Sequence, residues 1–185
     1  MDSLGSIESR YHKAEYAIEA SQYGEAVSIL EQLVIELPDE PLFLWRLGYL
    51  LCDLHEAGRA IDYFKRAILI DPNSAPAWGG LGQAYMELAK WNEAEHALRK
   101  RLQIKPGPHF FVFLAVVLHA KGDLEGAIDS CKKALELDPN YDEAFFNLGV
   151  YYHLLKRNDE ARKVFAKAVE LDPAWANQIE GYTAE

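Results

Sequence analysis

An all-α solenoid of five two-helix repeats is the fold this sequence predicts, and three columns of residues predict it. The first column is Ala26, Ala60, Ala94, Ala127 and Ala161. The second is Ala14, Gly48, Gly82, Ala115 and Gly149, and the third is Pro38, Pro72, Pro106, Pro139 and Pro173. All three run at intervals of 34, 34, 33 and 34 residues, so they share even the one-residue deletion between the third and fourth units. Independent columns with one period mark an internal structural repeat.

The period divides the chain into repeats 7–40, 41–74, 75–107, 108–141 and 142–175, with 176–185 as a short C-terminal tail or cap, together forming a single domain over 1–185. In the first repeat Tyr11, Ala14 and Ile18 keep a helical stripe, but Arg10 and Lys13 stand where later repeats carry large apolar residues. A polar outer face of this kind suits an end-capping repeat. The second and third repeats each carry an apolar helical stripe on both sides of the small-residue columns. Between the third and fourth, Arg101 replaces the alanine found at Ala67, Ala134 and Ala168, and Pro106-Gly107-Pro108 follows, which marks an irregular junction. The fourth repeat contains the longest apolar run, Phe110 to Leu118.

The fifth repeat shows the pattern most clearly. Phe145, Leu148, Gly149 and Tyr152 recur at helical spacing, Asn158-Asp159 interrupts them, and Ala161, Phe165 and Ala168 restart the stripe. Proline lacks an amide proton and disfavours helical geometry in the residue before it, so each proline of the third column ends a unit. The small residue in each helix permits close approach of the two backbones. Helix pairs this short bury too little surface alone and require stacking on neighbours. In the tail, Ile179 and Tyr182 offer a minimal cap that Gly181 is expected to interrupt.

The stretch Leu137-Asp138-Pro139-Asn140-Tyr141-Asp142-Glu143-Ala144-Phe145-Phe146-Asn147-Leu148-Gly149-Val150-Tyr151-Tyr152 closely resembles the consensus of the tetratricopeptide repeat family, and the resemblance runs from about Ile7 to Trp175. It implies a right-handed superhelix of ten antiparallel helices whose first helices line a concave groove. It also implies a protein-interaction module rather than an enzyme. The family's clamp for a C-terminal carboxylate is absent, because its positions in the first three repeats hold Tyr11, Glu15, Arg46, Pro76 and Gly80. Asn147 matches an asparagine that recurs in the repeats of O-linked sugar transferases. The equivalent positions here are His12, Arg46, Gly80 and Phe113, so no ladder forms.

The formal net charge of −10 is uneven. Residues 1–40 hold nine acids against two bases, a balance of −7, while residues 75–107 sum to +2. No basic stripe is available to displace counterions along a phosphate backbone, and nucleic-acid partners are not expected. The two cysteines, Cys52 and Cys131, lie in different repeats at different phases and suit a reducing compartment better than a disulfide framework. The first residues lack the basic and apolar regions of a signal peptide, and the run Phe110 to Leu118 is about half of what a membrane span needs. A cytoplasmic protein with no membrane span is expected.

No phosphate-binding glycine loop, His-Glu-x-x-His or paired-cysteine motif is present, so no catalytic residue, cofactor or metal is expected. His119 and His153 follow Cys52 and Met86 in one column, yet packed helices stand about 10 Å apart and one ion would not bridge them. The candidate site is instead the implied groove. Its expected peptide-binding residues are Trp45, Arg46, Tyr49, Gln83, Val112, Phe113, Val116, Phe146, Asn147 and Val150, with aromatic anchors for affinity and polar groups to orient a backbone. The expected partner is an extended or helical apolar peptide segment of another protein, held by an adaptor, scaffold or chaperone. The competing expectation is a homo-oligomer, a structural scaffold assembled by stacking terminal repeats.

Overall fold

The computed structural model describes residues 3–183 and shows eleven α-helices and one 3-10 turn among them, with no strand. The chain divides into two compact units, residues 1–90 and 91–185, and the boundary falls inside the third repeat.

The first unit holds α1 (Ser3–Glu19), α2 (Tyr23–Glu36), α3 (Pro41–Asp53), α4 (Ala57–Ile70) and α5 (Ala75–Glu87). Successive helices pack as antiparallel neighbours, and α3 also touches α5. Leu44, Leu47, Leu51 and Phe64 form its dry interior. The second unit holds α6 (Trp91–Ile104), α7 (Pro108–Ala120), α8 (Leu124–Leu137), α9 (Asp142–Leu154), α10 (Asn158–Leu171), a 3-10 turn (Pro173–Trp175) and α11 (Ala176–Thr183). Its interior is built around Val112, Leu114, Ala134, Ala144 and Tyr151. All five alanines of the first column are buried, as the repeat reading requires.

Each turn between the two helices of a repeat contains one residue with positive φ: Ser21, His55, Ala89, Gly122 and Lys156. These positions repeat the intervals 34, 34, 33 and 34. At His55 and Lys156 the following amide reaches back to a carbonyl five residues earlier, Glu56 N to Leu51 O and Arg157 N to Tyr152 O, each at 2.9 Å or less. This left-handed closure satisfies carbonyls that the ending helix leaves open.

The repeat-ending Asp-Pro pairs act through the aspartate as well. The carboxylates of Asp71, Asp138 and Asp172 accept from the amides two residues on, at 3.0, 3.0 and 2.9 Å. The third repeat has Lys105 at this position, which cannot accept. There the Arg101 guanidinium donates to the Lys105 carbonyl and lies 4.0 Å from the centre of the Phe110 ring. The irregular junction is thus closed by the very residue that departs from the alanine column.

The first repeat is polar at Arg10 and Lys13, as expected, although Tyr16 and Ile35 are also exposed on it. Arg10 grips Glu36 with one nitrogen, at 2.8 and 2.7 Å from its two oxygens, and Lys13 pairs with Glu25. The C-terminal expectation needs correction, because Gly181 does not interrupt the tail. Helix α11 runs through it and buries Ile179. Tertiary cover outweighs the modest helix penalty of one glycine.

Candidate peptide-binding site

Each unit places first-helix residues of one repeat phase at the edge of its own core: Glu15, Tyr49 and Gln83 on α1, α3 and α5 in the first, and Val116 and Val150 on α7 and α9 in the second, all half-buried. A side chain in this state keeps apolar area for a partner while its base is fixed by packing.

In the first unit, Trp45 and Tyr49 lie one turn apart with their rings edge to face at 6.1 Å. The Tyr49 ring meets Phe64 at 5.3 Å, and its hydroxyl donates to the Pro76 carbonyl at 3.0 Å. Arg46 Nε donates to Glu15 at 2.9 Å, a second nitrogen contacts the other carboxylate oxygen, and the guanidinium stands 5.7 Å from the Trp45 ring centre. The arginine therefore orients the indole, and two of its five donors are committed to Glu15. Gln83 completes this set on α5.

In the second unit, Phe113 and Val116 are half-buried on α7. The Phe113 ring packs edge-on to Phe110 at 5.8 Å and His109 at 6.0 Å. Burial, and after it the nearby charge of Arg101, holds the His109 imidazole below its usual pKa. Asn147 turns inward, donating to the Glu143 carbonyl at 2.9 Å and accepting from the Tyr151 hydroxyl at 3.5 Å. Val150 stays half-buried on α9.

Two expected site residues change role. Val112 is 0% exposed and packs with Ala134 of α8 and Ala144 of α9, so it belongs to the core. Phe146 is covered by the C-terminal cap: Trp175 stacks on it at 4.3 Å and 19°, and Tyr182 meets it at 6.4 Å. Trp175 is fixed in turn by donating from Nε1 to the Asp142 carboxylate at 2.7 Å. The longest apolar run is mostly covered, since Phe110, Val112, Leu114, Ala115, Val117 and Leu118 are buried among α6, α8 and α9. The exposed patch is correspondingly smaller than the apolar run suggested.

His119 and His153 each face an aromatic ring, Tyr151 at 5.2 Å and Tyr182 at 5.5 Å. Among the described residues, no group of three or more His, Cys, Asp or Glu side chains is placed to hold a metal, and no helix is long and apolar enough to cross a membrane. Sequence reasoning missed a pocket between α6 and α8. Its signal was present in two columns: Gly126 stands where other repeats have Glu25, Arg59, Glu93 and Glu160, and Ser130 where they have Ile29, Tyr63, Ala97 and Val164.

Paired helices with a repeated left-handed closure and a half-buried column define a helical-repeat protein of the solenoid class. The chain belongs to the tetratricopeptide repeat family: four models described as TPR or tetratricopeptide repeat match residues 11–75, 53–111, 116–156 and 142–175. A probable UDP-N-acetylglucosamine–peptide N-acetylglucosaminyltransferase, SPINDLY of Hordeum vulgare, is 32% identical over 118 residues, which are 60% of this chain and 12% of that protein. The DnaJ homolog subfamily C member 7 homolog of Dictyostelium discoideum is 23% identical over 178 residues, 87% of this chain and 33% of that protein. The chain therefore spans a third or less of the length of these relatives. Among solved structures, MamA from Desulfovibrio magneticus RS-1 has the same fold, with a TM-score of 0.84 at 20% identity over 92% of this chain and 97% of that one. YrrB, described as a TPR protein with an unusual peptide-binding site, superposes with a TM-score of 0.70 at 26% identity, covering 80% of this chain and 77% of its own.

Proposed function

We propose that this chain is a non-enzymatic protein-interaction module that holds an apolar peptide segment against the first-helix faces of its repeats. The observation that carries this reading is the half-buried aromatic pair Trp45 and Tyr49, braced by Arg46, Phe64 and the Pro76 carbonyl. Rigid, half-buried aromatic side chains give contact area at low entropic cost, which is the anatomy of a binding hot spot. Phe113, Val116 and Val150 supply further apolar contact in the second unit. The peptide-binding site in the description of YrrB supports the same reading. An adaptor, scaffold or chaperone role follows from which protein carries the segment.

Stacking of terminal repeats is less favoured at the C-terminal end, where Trp175 and Tyr182 already cover Phe146. The test is selection of peptides from a random displayed library, followed by rebinding to Trp45→Glu and Phe113→Glu chains. Loss of rebinding in both variants supports the reading. Selected peptides that bind both variants as well as the unaltered chain would place the site elsewhere.

A further inference from the structure

On the outer side of α7 the second unit opens into a pocket of about 390 Å³ between α6 and α8. Its floor is apolar, formed by Leu102, Phe111, Leu114 and Leu118, and its rim carries Arg99 and Gln103 on one wall and Asp129 and Lys133 on the other. The cavity exists because α8 has lost two covering side chains. In the repeat register, Gly126 and Ser130 replace positions that hold Arg59 and Tyr63 in α4. Among the described residues Lys133 has no hydrogen bond or ion pair, whereas Arg99 is shared with Glu95 at 2.8 Å. The charged residues lining the pocket are Arg99, Lys133 and Asp129, a net of +1 on an acidic chain.

The same chain carries a surface of opposite character. Residues 1–40 have nine acids and two bases, a net of −7. On α1 the exposed residues Glu8, His12, Tyr16 and Glu19 follow helical spacing, and Tyr16 is 69% exposed. The equivalent residues of the other repeats, Leu50, Ala84, Val117 and Tyr151, are all buried. A large aromatic ring flanked by carboxylates is the chemical complement of an apolar-floored pocket whose rim offers Lys133 and Arg99.

We propose that the pocket between α6 and α8 receives Tyr16 from the acidic first repeat of a second copy of this chain, with Glu19 directed to Lys133 and Arg99. The contact joins two different surfaces of the chain, so a copy whose knob is engaged still offers its own pocket, and association can continue beyond two copies wherever the geometry does not close. The surface is distinct from the first-helix faces proposed to bind peptide, and either reading stands if the other fails.

The experiment is light scattering coupled to size exclusion on the full chain, with circular dichroism to confirm folding. The unaltered protein should grow in mass with concentration at low ionic strength and dissociate as salt rises well past about 0.15 M, where screening acts within roughly 8 Å. Ser130→Tyr fills the pocket with the residue that the fold already accepts at Tyr63, and Tyr16→Ser removes the knob from an exposed position. Each variant alone should be monomeric. Their equimolar mixture should give a dimer, because each supplies the half that the other lacks. If Ser130→Tyr loses helix content, Lys133→Glu on the exposed rim takes its place. An unaltered chain that stays monomeric at about 100 μM in low salt, or a mixture of variants that stays monomeric, overturns the proposal.

Discussion

Phe64 lies so close to Gly48 that a Cβ at residue 48 would stand 2.7 Å from its ring, and on its other side the same ring crowds Gly80. The fifth repeat repeats the arrangement with Phe165 against Gly149. At the same two positions, the first and fourth repeats carry Leu30 with Ala14 and Cys131 with Ala115. A large ring thus goes with glycine in the second and fifth repeats and a smaller side chain with alanine in the first and fourth, while the third pairs Leu98 with Gly82. Cys131 is explained by packing, and burial pushes its thiol up to about 12, which keeps it unreactive.

Gly48→Ala should destabilise the protein. A mid-helix alanine gains about 1 kcal/mol of helix propensity over glycine, but overpacking against Phe64 costs about 1–3 kcal/mol or more. Adding Phe64→Leu copies the Ala14 and Leu30 pair and should recover part of the loss, a non-additivity that a double-mutant cycle reads directly. An unchanged or raised Tm for Gly48→Ala alone would contradict the placement of Phe64.

The repeat count and every first-helix start from the second repeat onward were legible in the sequence, because glycine, alanine and proline act through the backbone and keep their identity in each unit. Pro41, Ala75, Pro108 and Asp142 all begin helices where the period put them. The left-handed column was not legible, since Ser21, His55, Ala89, Gly122 and Lys156 share a conformation and no chemistry. The candidate site was legible only in part. Periodicity put Val112 and Phe113 on adjacent phases, and only the packing of α8 and α9 decides that the first is buried and the second half-open. The pocket at Gly126 and Ser130 was not legible, because small residues announce missing volume only once their neighbours are placed.

Lys156→Gly should raise stability. A non-glycine residue at φ 61° carries the left-handed penalty of about 1–2 kcal/mol. Part of the gain is returned through the greater chain entropy of glycine, leaving about 0.5–1 kcal/mol. Thermal denaturation checks it, with Gly122→Ala as the inverse control, expected to lower Tm.

Glu95 should contribute to an acid-sensitive component of stability. Its carboxyl sits below the usual range chiefly because Lys121 donates to it at 2.5 Å, with burial opposing and Arg99 at 2.8 Å adding to the effect. A lowered folded pKa stabilises the protein above the ordinary carboxylate value, near pH 4, and that contribution disappears as pH falls through the folded value. Urea midpoints at neutral pH and at about pH 3 should therefore differ less in Glu95→Gln than in the unaltered chain. An equal difference would show that the pair is too solvent-screened to matter.

The two neighbours on α7 provide the sharpest test of the candidate site. Val112→Glu places a charge among Ala134 and Ala144 with nothing to pair it, and should unfold the second unit or lower its melting temperature severely. Phe113→Glu alters a half-open ring whose contacts are the edges of Phe110 and His109, and should leave helix content intact. If Phe113 anchors a peptide, its loss costs about 2 kcal/mol or more, roughly a thirtyfold fall in affinity for peptides selected on the unaltered chain. Trp45→Ala should produce a loss of similar size from the first unit, again without unfolding. Unfolding by Phe113→Glu would move that residue into the core, and full retention of binding in both variants would remove the first-helix faces as the site.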